Sequence, residues 1–156
     1  MNKNAKKLYD LLTGAKPMRR FPMSKFYMGL WGTCGTPECI GGHANALMAL
    51  DKVVEGKVIC VGTTCFYNDE ATSKWLGLPL SIGRALFYPG CADESLVEKL
   101  YPEIANDPIR NSFGLDLTTP MQYKGKEGAS LAAAALKRAC ALASQRSKER
   151  KAHATT

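Results

Sequence analysis

With 156 residues, 22% charged and 46% hydrophobic, the chain has the composition of an ordinary soluble globular protein and is long enough to bury a core without staples. No run approaches the ~20 apolar residues of a membrane span, and Asp10 interrupts the only apolar stretch at the N-terminus, which argues against a secretory signal. The six cysteines are therefore expected to be reduced thiols of a cytoplasmic protein. The net charge of +7 is concentrated at the two ends. Residues 1–25 carry seven Lys/Arg against one Asp, and residues 124–156 carry eight against two Glu, whereas residues 26–123 carry six against eleven acids.

Residues 2–13 read as an amphipathic helix, with Ala5, Leu8, Leu11 and Leu12 as its apolar stripe and Lys3, Lys6, Lys7 and Asp10 facing out. Gly14 ends it and Pro17 confirms the break. A connector with adjacent Arg19 and Arg20 follows. Residues 26–31 then read as a short strand leading into a Gly-rich turn.

The strongest local signal comes next. Thr36 is a good helix cap, Pro37 suits the first helical position, and Glu38 adds negative charge at the positive end of the helix dipole. These residues predict a helix over 37–51. Ile40, Ala44, Leu47 and Met48 line one face and Cys39, His43, Ala46 and Leu50 the adjoining one, so most of its girth is apolar and it is expected to be buried. Gly41 and Gly42 each give up about 1 kcal/mol of helix propensity, which points to an aromatic ring or another backbone, such as the Ala-rich C-terminal helix, packed directly against them.

Cys34, Cys39 and His43 are the candidate chemical residues. Cys39 sits near a helix start, where a thiolate is favoured, and His43 lies four residues on, facing the same way. With Cys34 they offer three ligands to zinc, and the similarly spaced Cys60 and Cys65 could complete a four-ligand site. The separation of four residues within each pair is not the usual ligand spacing, and buried free cysteines ordinarily serve as small hydrophobes. A nucleophilic Cys39 is a further alternative, disfavoured because a histidine on the same helix is badly placed to take its proton and then serve a substrate.

The pattern Cys34-Gly-Thr-x-x-Cys39-Ile40-x-Gly42-His43-Ala44, followed by Trp75-Leu76-Gly77-Leu78 and by Leu86-Phe87, resembles a group of small uncharacterised bacterial and phage proteins. The likeness spans roughly residues 21–90. It implies a shared fold, carries no activity with it, and suggests a phage-related, host-directed binding role.

Residues 53–56 form a turn, and 57–61 are rich in β-branched residues. This stretch either pairs with 26–31 as a two-stranded β-ribbon or runs as a loop over a helical core. Asn68 is a good cap for a helix over 69–76 ending at Gly77, and Ser81 can cap a second helix through Phe87. The pair has a helix-turn-helix outline, but Ile82, Gly83, Ala85, Leu86 and Phe87 leave Arg84 almost alone to reach a base, so a buried hairpin is preferred. Asp93 caps a helix carrying Leu96, Val97, Leu100 and Tyr101, stopped by Pro102. Residues 102–128 read as an irregular strap pinned by Ile109, Phe113, Leu115 and Leu117. An Ala-rich helix over about 129–148 closes the chain, with a wide face of Leu131, Ala132, Ala135, Leu136, Ala139, Leu142 and Ala143. The expectation is a mainly α protein: a compact bundle of about five to six helices around the buried helix 37–51, in one domain over 1–148 with a basic, frayed tail at 149–156.

The sequence contains no phosphate-binding loop, dinucleotide fingerprint or His-Glu-x-x-His helix. A non-enzymatic binding protein with a protein partner therefore ranks first. A nucleic-acid-associated protein using Lys6, Lys7, Arg19, Arg20, Arg146 and Arg150 ranks second. A zinc-binding or thiol-dependent protein centred on Cys34, Cys39 and His43 ranks third.

Overall fold

The computed structural model describes residues 1–26, 39–54, 69–89, 92–105 and 125–154, without the side chains of 52–54, 104 and 105. The ribbon pairing, Thr36 and Pro37, Cys34, the Cys60/Cys65 pair, Asn68 and the strap over 106–124 lie outside these residues. The described residues are mainly helical and contain no strand.

The first helix, α1 (Lys3–Leu12), starts where the Asn2 side chain accepts from Ala5 N at 2.8 Å and ends at Gly14, whose φ of +74° suits a residue without Cβ. Ala5, Leu8, Leu11 and Leu12 are all buried, as their spacing predicts. Asp10 departs from expectation. It is 4% exposed, its carboxylate engaged by Lys6 one turn earlier and by Lys16 at 3.7 Å. Lys16 is brought round by the turn after α1, where its N–H donates to the Asp10 carbonyl. The spacing of Lys6 and Asp10 is the local part of this arrangement, and the approach of Lys16 depends on the turn.

Helix α2 (Ile40–Val54) is the buried helix that its composition predicts. Ile40, Gly41, Gly42, His43, Ala44, Leu47 and Met48 are buried, and no residue from 40 to 51 is exposed. Its described part begins at Ile40, and Cys39 just before it caps the turn: its carbonyl accepts from His43 N at 2.9 Å and its sulfur from Gly42 N at 3.3 Å. Gly41 and Gly42 thus stand in the first turn of α2.

Helices α3 (Asp69–Leu76) and α4 (Leu80–Phe87) form a tight antiparallel hairpin. The turn is set by backbone bonds from Gly77 N to Lys74 O and from Leu78 N to Ser73 O, with Gly77 at φ +72° and Leu78 buried behind it. Asn2 and Asn4 both donate to Trp75 O, at 3.2 and 2.9 Å, so the start of α1 satisfies a carbonyl at the end of α3. Ser81 does not cap α4. Pro79 occupies the cap position without a side-chain bond, and Ser81 is exposed within the first turn.

Helix α5 (Glu94–Leu100) is capped by Asp93, which accepts from Leu96 N at 3.1 Å and from Ser95 Oγ at 2.6 Å. Pro102 does not begin an irregular stretch. It opens a further single turn, α6 (Pro102–Ala105), since proline is well suited to a first helical position. The last helix, α7, runs Gly125–His153, longer at both ends than its apolar stripe suggests. Its start is tied to the 3-10 turn Met23–Lys25 by Gly125 N donating to Phe26 O at 2.7 Å.

Packing follows the apolar faces. Helix α7 lies against α1, α4, α5 and the 3-10 turn; α2 lies against α1, α3 and α4. The small-residue face of α7 therefore meets α1, α4 and α5 rather than seating mainly on Gly41 and Gly42. One hydrophobic cluster, including Leu8, Leu11, Ile40, Leu47, Leu86, Leu100 and Leu136, joins all the longer helices. Each fully buried leucine or isoleucine contributes about 1.5–3 kcal/mol relative to exposure.

Candidate functional site

Two places concentrate chemistry. One is the start of α2. The His43 ring is 1% exposed and its Nδ1 lies 2.9 Å from the Cys39 carbonyl, an atom that only accepts, so the proton sits on Nδ1. The ring stands between Phe21 and Phe26, with centroid distances of 5.7 and 5.6 Å. Cys39 is 7% exposed. Tyr101 closes the neighbourhood from the end of α5: it is buried, and its hydroxyl donates to Leu86 O at 2.6 Å. Burial first, then the negative forms of Cys39 and Glu103, hold the Tyr101 phenol above its ordinary pKa.

Of the three expected ligands, the structure brings Cys39 and His43 together on one turn, and Cys34 lies outside the described residues. His43 Nδ1 is committed to a backbone carbonyl, and no group of three His, Cys, Asp or Glu side chains stands together among the described residues. Cys39 has a role that filler would not: its sulfur receives the N–H of Gly42, one of the donors that a helix start leaves unmatched. Tyr101 was not singled out from the sequence, where it reads as the last apolar position of an amphipathic helix. The second described thiol, Cys140, is buried on α7, and burial raises its pKa.

The other place is the second half of α7. Its buried residues are Gly128, Ala129, Ala132, Ala133, Ala135, Leu136, Ala139 and Cys140, and they stop there. The helix continues to His153 with Leu142, Ala143 and Arg146 half-buried and the other residues exposed. Over residues 141–153 it carries Arg146, Lys148, Arg150 and Lys151 against Glu149 alone. Basic residues in a last turn also suit the negative pole of the helix, but Arg146 and Lys148 precede the last turn.

The six expected basic contacts do not gather into one patch. Lys6 is held by Asp10, and Lys7 pairs with Asp51 across to α2. Arg19 and Arg20 are exposed in the turn before Phe26, and Phe26 meets the first residue of α7. Arg146 lies about 30 Å further along the same axis. Arg146 and Arg150, one turn apart, remain together on the distal half of α7. Two further arginines are engaged within the fold. Arg84 bonds Asp69 at 2.6 Å, which raises the guanidinium pKa, so α4 presents little beyond Ser81 for base contact. Arg138 grips Glu103 through both nitrogens, at 2.9 and 2.6 Å, and also donates to Leu100 O.

Comparison with known proteins finds no family model, no curated protein and no solved structure that matches this chain. No described helix is long and apolar enough to cross a membrane.

Proposed function

We propose that this is a non-enzymatic binding protein that engages an acidic partner through the distal half of α7. The observation that carries this reading is the mismatch between α7 and the body that anchors it. Full burial ends at Cys140 and partial burial at Arg146, yet the helix runs on to His153. A separate helix of that length would be marginal in water. Here the anchored first half has already nucleated it, so it presents its cations on a formed scaffold.

The start of α2 supports the same reading from the other side. Its thiol and imidazole are buried, one capping the helix and the other bonded to the backbone.

Amide hydrogen exchange tests the proposal. Exchange across residues 141–153 is measured at low salt with and without poly-L-glutamate, heparin or duplex DNA. At least one polyanion is expected to slow exchange in that segment while leaving α1 and α4 unchanged. Unaltered exchange with all three would remove the reading.

A further inference from the structure

We infer that the acidic partner is a protein, docked through an amphipathic acidic helix that lies along a row of three lysines on the outer side of α7; this rests on the binding role proposed above and carries the contact upstream of Lys148. The row begins in the sequence, where Lys126, Lys137 and Lys148 stand eleven residues apart. Eleven residues make almost three whole turns, so each lysine is about 16.5 Å beyond the last and only about 20° round from it. All three are exposed, and they share the exposed stripe with Ser130, Ala141 and Ser144. Among the described residues none of the three is held in an ion pair or a side-chain hydrogen bond, whereas Lys6, Lys7 and Arg138 are.

The residues between the lysines are short. Ser130 is folded back, its hydroxyl donating to Lys126 O at 2.9 Å. Alanine and serine leave the ridge low, so a second helix can approach to the usual spacing of about 8–10 Å between axes. No acid interrupts the stripe. Glu127 lies about 100° round from Lys126, and Glu149 about 100° round from Lys148, where Gln145 donates to it at 3.0 Å.

The even pitch selects the partner. A helix carrying a carboxylate every three turns repeats at the same interval, because both rods have the same rise, and it can set one carboxylate against each lysine. A nucleic-acid duplex suits the row less well. It carries one charge per about 1.7 Å of axis, against one lysine per about 16.5 Å. A straight line down B-form DNA also meets the backbones at uneven intervals, since the grooves between them are alternately about 6 and about 12 Å wide.

The test uses the full chain and two fluorescein-labelled, alanine- and glutamine-based helical peptides, each with three glutamates. In the first the glutamates are eleven residues apart; in the second they are nine apart, which turns successive carboxylates to opposite sides. Carbodiimide coupling at low salt, mapped by mass spectrometry, is expected to join the glutamates of the first peptide in chain order to Lys126, Lys137 and Lys148, and to show no such order with the second. In anisotropy each of Lys126→Gln, Lys137→Gln and Lys148→Gln is expected to weaken binding of the first peptide roughly 1.5- to 5-fold, while Lys3→Gln, at an exposed position on α1, leaves it unchanged. The substituted side chains are exposed, so every variant is expected to keep the circular-dichroism spectrum of the parent. Coupling spread equally over Lys3 and the row, or equal affinity for the two peptides, overturns the helix. A fluorescein-labelled DNA duplex that binds when neither peptide does, and is lost when all three lysines are replaced, assigns the row to nucleic acid and overturns it as well. If a polyanion slows exchange across 141–153 and the lysine variants leave peptide binding unchanged, the binding role stands and the row falls. If no polyanion acts, both fall.

Discussion

Buried polar atoms are where single residues matter most in this molecule. His43, Tyr101 and Asp10 each have a partner: a backbone carbonyl for the first two and lysines for the third. Thr72 and Ser73 do not. Both are buried on α3, and neither hydroxyl has a hydrogen-bond partner. A buried unsatisfied hydroxyl costs about 1–3 kcal/mol. Thr72→Val keeps the branched shape, changes helix propensity little and removes that cost. It is expected to raise stability by about 1 kcal/mol, measured as a higher urea midpoint with an unchanged slope; a lower midpoint would mean that the hydroxyl has a partner after all. The sequence alone could not identify this position, because Thr72 sits in a run of small and polar residues that reads as the water-facing side of a short helix.

At the level of elements, the hairpin of α3 and α4 depends on one close approach. A Cβ on Gly83 would lie 1.8 Å from Ser73 Oγ and 2.7 Å from Ser73 Cβ, too near for the serine to solve by rotating. Gly83→Ala gains up to about 1 kcal/mol in helix propensity but forces the helices apart, and overpacking of this kind costs about 1–3 kcal/mol or more. A net loss is expected. Adding Ser73→Gly should recover most of it, so the double-mutant cycle in urea should show coupling above about 1 kcal/mol; additive effects would show that the two positions do not press on each other. Helix ends were legible at some local caps and not at Ser81, where Pro79 takes the cap position. Asn2 lies at the start of α1 and Asp93 opens α5 as their residue types suggest. They were not legible where the cap works through sulfur, as at Cys39, or where the chain supplies it from elsewhere, as for the bond from Gly125 to Phe26.

For the molecule as a whole, acid is the sharpest probe. Among the described residues, three carboxylates are held below their ordinary pKa: Asp10 chiefly by the hydrogen bond from Lys6, Asp93 by that from Ser95, and Glu103 by that from Arg138. A depressed folded pKa gives stability that is complete above the unfolded value and is lost as pH falls through the folded one. The ordinary values are 3.8 for the two aspartates and 4.5 for the glutamate, so the urea midpoint should be insensitive to these groups above about pH 5.5 and fall below about pH 4.5. In Asp10→Asn the fall should be shallower. An equal fall in that variant would show that Asp10 contributes nothing to acid stability.

The order of apolar and polar residues was sufficient to set the helical class, the buried character of α2 and the positive ends, because periodicity and composition act within one or two turns. Tertiary structure decided which charges stay available for a partner. Arg84 meets Asp69, Arg138 meets Glu103 and Lys7 meets Asp51 across 15, 35 and 44 positions of chain, while Lys148 and Arg150 are exposed on the distal half of α7. Ion pairing depends on distance in space, and that distance exists only once the helices have packed.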